Sequence, residues 1–133
     1  MDQQGLATVP SKWPVDATVE RLERAITAAG LVVFARVDHA RNAHEIDLAL
    51  RPTFLLIFGN PRGGTQLMQE NQVAGLDLPL KFLVWEDEDG RAWVTYTEVG
   101  WIARRHGLSP ATAGVVTATA SAVERLARQA TQD

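Results

Sequence analysis

Leu80-Lys-Phe-Leu-Val-Trp85-Glu-Asp-Glu-Asp89-Gly90-Arg-Ala92-Trp-Val-Thr-Tyr96 decides the fold of this chain. Two alternating apolar runs flank an Asp-Gly pair, and glycine there supplies the left-handed backbone of a tight hairpin turn. Consecutive strands joined this way must be antiparallel. An all-parallel sheet of alternating strands and helices is therefore disfavoured, and an α+β fold is expected.

Working outward gives the remaining elements. On the N-terminal side, Thr53 to Phe58 is an apolar strand that restarts after Arg51-Pro52, since a residue before proline avoids helical backbone. Leu31 to Val37 is rich in β-branched residues and reads as another strand. Val19, Leu22, Ile26 and Ala29 share one helical face, with Asp16 expected as N-cap and Gly30 as the closing residue. Gly5 to Pro10 is expected as an edge strand, and Ala40 to Leu48 as a short helix capped by Asp38. On the C-terminal side, a brief helix surrounds Trp101 to Arg105. Ser109-Pro110 then supplies a cap and a first-turn proline for a long helix to about Arg128, leaving 129–133 as a frayed tail.

The expected order is β-α-β-(α)-β-α-β-β-α-α: a single mixed or antiparallel sheet with helices on one face. The 133 residues fit one domain, 1–133, large enough to bury a core. A net charge of −3 gives no basic stripe for nucleic acid, so no nucleic-acid partner is expected. The absence of cysteine excludes disulfides, thiol nucleophiles and thiolate metal sites. No apolar run approaches the ~20 residues of a membrane span, and no signal peptide is visible, so a cytoplasmic protein without membrane insertion is expected.

Gly59-Asn-Pro-Arg-Gly-Gly-Thr65 is the first place to look for chemistry. One reading is an anion or polar-ligand cradle, formed by the amides of Gly63, Gly64 and Thr65 with Arg62 as charged partner. The glycine spacing matches neither a P-loop nor a dinucleotide fingerprint. The other reading is a tight structural connection, with Gly59 and Gly64 at positive φ and Asn60 making an Asx turn. Thr65 is then the cap of a short helix through Glu70.

Asp38-His39 invites a general-base reading of His39, oriented by Asp38 or Glu45. Capping explains Asp38 equally well. His44 lies five residues from His39, where helical ligands want four, so no metal site is expected. Lys81 alternates with Leu80 and Phe82 and would pair with Asp77 or a bound acid, or be solvated. Trp85, Trp93, Tyr96 and Trp101 would pack the core, line an apolar pocket or form a subunit interface.

These segments together resemble domain-of-unknown-function family 302. The resemblance rests on Arg21-Leu22, Val33-Phe-Ala-Arg-Val-Asp-His39, Leu50-Arg-Pro-Thr53, Leu56-Ile-Phe-Gly-Asn-Pro61 and Gly64-Thr65 with Leu67-Met68. It continues through Asp77-Leu-Pro-Leu-Lys81, Trp85-Glu-Asp87, Asp89-Gly90, Tyr96 and Arg105-His-Gly-Leu108. The matching core covers about 18–108, leaving a helix at about 110–128 as an addition. The resemblance implies a small α+β fold and self-association, hence an expected homodimer. It supplies no activity and no catalytic residue, and no cofactor is expected.

If the strands at Leu31 and Thr53 are parallel neighbours, their C-terminal ends bring His39, Asn60, Arg62 and Thr65 to one rim. The expected ligand-binding set is Asp38, His39, Asn60, Arg62, Gly64, Thr65, Met68 and Lys81. Three functions follow as expectations: a non-enzymatic small-molecule-binding domain rimmed by Gly59 to Met68, a homodimeric interaction module, or an enzyme using His39 as base.

Overall fold

The structure is a computed structural model that describes residues 4–133. Five strands, β1 (Leu6–Pro10), β2 (Val32–Asp38), β3 (Thr53–Gly59), β4 (Leu80–Glu86) and β5 (Ala92–Thr97), form one sheet in the order β1-β5-β4-β3-β2. Every neighbouring pair is antiparallel. Five α-helices accompany them: α1 (Val15–Ala28), α2 (His39–His44), α3 (Pro61–Glu70), α4 (Val99–Arg105) and α5 (Ala113–Thr131). Short 3-10 turns at Gln72–Leu76 and Pro110–Thr112 complete the chain. The element order and the α+β class agree with the sequence reading.

Alternation in the strands divides the sheet into two unlike faces. Leu56, Phe58, Phe82, Val84 and Val94 point to one side and are fully buried there. They meet Leu22 and Ile26 of α1 and Val123, Leu126 and Ala130 of α5 in one core. Phe58 and Phe82 stack with ring centroids 4.6 Å apart, and Tyr96 meets Phe82 edge-on at 5.6 Å. Each such buried side chain contributes about 2–3 kcal/mol by leaving water.

The opposite face carries Leu55, Ile57, Lys81, Leu83, Trp85, Trp93 and Thr95, half-buried or exposed, and α1 and α5 do not cover it. Trp85 and Trp93 are cross-strand partners whose rings stack at 6.3 Å. The four aromatic residues therefore divide. Tyr96 packs against the core, Trp101 lies in α4 against Gly5, and the Trp85–Trp93 pair stands on the uncovered face.

The hairpin turn forms where Asp89-Gly90 places it, with Gly90 at φ +80°. Asp87 organises it: Oδ1 accepts the amides of Asp89 (2.9 Å) and Arg91 (3.0 Å), and Oδ2 accepts the indole N–H of Trp93 (2.7 Å). Asp38 caps α2 by accepting the Arg41 amide at 3.0 Å. Ser109 likewise caps its turn through the Ala111 amide at 3.1 Å.

Three local expectations change. Asp16 is not the cap of α1; Pro14 holds that position in extended backbone, and Asp16 lies in the first turn. Helix α2 stops at His44 rather than Leu48, and Ile46 and Leu48 are exposed. The C-terminal residues are tied down instead of frayed: Arg21 donates to the carbonyls of Gln129, Ala130 and Gln132, and the Lys12 amide donates to Thr131 at 2.9 Å.

Candidate functional site: an apolar cavity under the first turns of α3

Helix α3 starts sooner than the glycine content suggests. Asn60 is its N-cap, with Oδ1 accepting the Arg62 amide at 3.0 Å, and Pro61 occupies the first helical position, where its missing N–H costs nothing. The run Gly63-Gly64-Thr65 is therefore helix, not loop. The Gly64 amide donates to the Asn60 carbonyl at 3.0 Å, so it is spent inside the helix rather than offered to an anion. Gly59 ends β3 and Gly64 sits in the helix, and neither has positive φ; those positions belong to Gly5, Gly30, Gly90 and Gly107. The expected Asx turn at Asn60 forms, whereas the amide cradle and the positive-φ connection do not.

Beneath this turn lies a cavity of about 260 Å³. Its walls come from α3, the entry to β4 at Leu78 to Leu80, α4 at Val99, Ile102 and Ala103, and Thr119 of α5. Leu67, Val99 and Ile102 are buried and form its depth. Asn60, Thr65 and Thr119 are the lining residues with polar side chains. Gly64 forms part of the α3 wall, where an added Cβ would find nothing within 4 Å.

Polar ties hold the walls together. Asp77 receives both a two-point contact from Arg105 Nη1 (3.1 Å to each oxygen) and His106 Nε2 at 2.6 Å. The Asn71 side-chain amide donates to the His106 carbonyl at 2.8 Å. Glu70, at the end of α3, accepts the Thr112 hydroxyl at 2.6 Å and the Ser109 amide. Those two bonds, the hydroxyl foremost, hold the Glu70 carboxyl below its usual range. Segment 70–77 is thus pinned to the region between α4 and α5. Asp77 is engaged here, which leaves Lys81 without it; Lys81 Nζ donates to the Pro79 carbonyl at 3.1 Å instead.

Of the expected site residues, Asn60, Gly64, Thr65 and Met68 line the cavity. Arg62 stands outside it, in a shallow outer groove with Gln66 and Gln69. Lys81 pairs across from Ile57 on the uncovered sheet face. Asp38 and His39 do not join the rim, because β2 and β3 are antiparallel: Asp38 pairs with Phe54, at the far end of β3 from Gly59. A strand of that length separates the two ends by ~20 Å. The carboxylates expected to orient His39 have other partners, Asp38 as the α2 cap and Glu45 beside Arg41 at 3.6 Å. Sequence reasoning missed Leu78, Val99, Ile102 and Thr119 as cavity residues. Three of the four are ordinary apolar residues, and in a sequence the wall of a cavity reads the same way as core.

Residues 7–127 match the family described as domain of unknown function DUF302. The chain belongs to the DUF302 family. The match reaches beyond the expected 18–108 core and takes in most of α5, so that helix is part of the DUF302 fold. An uncharacterised conserved DUF302 protein from Bacillus stearothermophilus has the same fold, with a TM-score of 0.84 at 20% identity, covering 95% of this chain and 98% of that one. Fluoride-specific ion channel FluC 1 of Brucella suis is 48% identical over 104 residues, which is 78% of this chain and 41% of that protein. The Brucella abortus protein of the same name matches at the same identity, over 38% of its length. This chain thus spans about two fifths of the curated relatives it matches.

Proposed function

We propose that this DUF302 chain is a non-enzymatic, cytoplasmic small-molecule-binding domain whose ligand sits in the cavity beneath α3. The observation that carries the reading is the cavity itself: concave, mostly apolar and reaching Asn60 and Thr65, as small-molecule sites usually are. Native mass spectrometry of protein purified from its own host tests it, by looking for a retained small molecule. Protein that carries none, and whose amide spectrum is unmoved by a library of small apolar compounds, removes the reading.

The channel activity named for the Brucella relatives is not extended to this chain. Among the described residues no helix is long and apolar enough to cross a membrane. The sheet, open at β1 and β2, is not a closed barrel. What we extend is association: the domain accompanies a fluoride channel and binds a small molecule beside it.

A homodimeric interaction module is the second reading, favoured by the Trp85–Trp93 pair on the uncovered sheet face. Five strands at ~4.8 Å spacing and ~20 Å length give a face of roughly 480 Å², or about 1,000 Å² buried by two copies. That is enough for a weak symmetric dimer. Light scattering that finds a monomer at high concentration removes this reading; a dimer abolished by Trp85→Arg supports it.

A further inference from the structure

Resting on the cavity reading, we propose that the site takes an uncharged molecule of about ten non-hydrogen atoms with an apolar body and one hydrogen-bond acceptor, such as a medium-chain ketone or its equivalent. Size comes first. An apolar cavity of about 150 Å³ accepts benzene, so 260 Å³ scales to about ten heavy atoms.

Charge comes second. Among the described residues no ionisable side chain lines the cavity, and Arg62, the nearest cation in sequence, lines the outer groove. A carboxylate or ammonium drawn into this space would lose its water and meet no side chain of opposite charge, which is costly. The walls themselves therefore select against charged ligands.

The polar rim sets the third property. Asn60 Oδ1 is committed to the Arg62 amide, which leaves the side-chain NH₂ as the group Asn60 can offer. Thr65 and Thr119 contribute hydroxyls. The Asn60 NH₂ donates and the hydroxyls can donate, and Asn60 caps α3, whose N-terminal partial positive charge also favours an acceptor oxygen. The apolar body then lies along the α3 wall past Gly64, where the missing side chain leaves room and a Cβ would touch nothing within 4 Å.

The test is a titration of ¹⁵N-labelled full chain followed by amide chemical shifts, using 2-octanone, octanoate and octylammonium in parallel. The expected result is 2-octanone binding with a dissociation constant on the order of 0.1 mM, the shifts centred on Gly63, Gly64 and Leu67. The two charged analogues bind at least about tenfold more weakly. Gly64→Leu fills the space and abolishes binding while the protein stays folded; Thr65→Val, on the exposed side of the rim, weakens 2-octanone about fivefold, the worth of one hydrogen bond. Octanoate or octylammonium shifting the same amides as tightly as 2-octanone overturns the ligand class and leaves the cavity reading standing. Failure of all three to shift these amides, with no molecule retained from the host, overturns both.

Discussion

Replacing Gly64 by Ala stabilises this protein. Gly64 lies in the second turn of a capped helix, outside the left-handed region, and its added Cβ would meet no atom within 4 Å. Nothing in the folded state therefore opposes the methyl group. An unfolded chain with Ala has fewer conformations to lose, and the gain in a helix is roughly 0.5–1 kcal/mol. For a chain of 133 residues the unfolding entropy is about 0.28 kcal/mol/K, so the melting temperature rises by about 2–4 °C. Gly63→Ala adds a similar increment, since its Cβ would rest at an ordinary 3.8 Å from Val115 Cγ1. The double variant is expected to gain about 1–2 kcal/mol. Urea unfolding followed by tryptophan fluorescence measures this, with the midpoint shifting and the slope unchanged. A lower midpoint for Gly64→Ala refutes the reasoning, because it requires either non-helical backbone at Gly64 or an occupied space beside it.

Gly5 gives the opposite outcome: at φ +76° its added Cβ would lie 2.3 Å from Trp101 Cγ, so Gly5→Ala is expected to cost at least ~2 kcal/mol, read as a lower urea midpoint. The Asp87 carboxyl is held below its usual range by the Trp93 indole N–H first and the Arg91 amide second. Its contribution to stability is therefore complete above the unfolded value of about 4 and is lost as pH falls through the lower folded value. Asp87→Asn should be less stable than the parent at pH 6, and the gap between their urea midpoints should close on acidification; a gap constant with pH counts against this. Finally, among the described residues the cavity offers fluoride no cation, so sodium fluoride added against a sodium chloride control is expected to leave the amides of Gly63, Gly64 and Leu67 unshifted. Saturable shifts there would contradict the apolar description of the site.

Signals that act within a few residues were legible in the chain. Asp89-Gly90 fixed the hairpin, Asp38 its helix cap and Ser109-Pro110 the start of the last helical segment, because each solves a local backbone problem. Asn60-Pro61 was a helix start of the same kind, yet two glycines at its third and fourth positions weighed towards a loop. Propensity lost there to the cap and to tertiary packing. The direction of β2 against β3 was not legible. The connection from His39 to Pro52 is long enough for an antiparallel return or a parallel crossover, and nothing local chooses between them. That single orientation sent Asp38 and His39 to the wrong end of the expected site. The ties from Asp77 to Arg105 and His106 were equally hidden, since they join residues 28 and 29 apart whose types are ordinary surface residues.

The bond from the Lys12 amide to the Thr131 carbonyl, with Lys12 Nζ reaching Asp133 at 2.8 Å, closes the fold as a seam between its first and last elements. Strand β1 has only β5 as a partner, and the turn after β1 is held by the end of α5. On the ribosome, β1 is made first and must wait for residues 92–97 before it can pair. The seam itself closes only when residue 131 has emerged. Folding that depends on such distant partners is slow by nature, and the nascent chain exposes an unpaired strand meanwhile. Once closed, the same seam fastens the last turn of α5 to the turn that ends β1, so loosening either one frees the other.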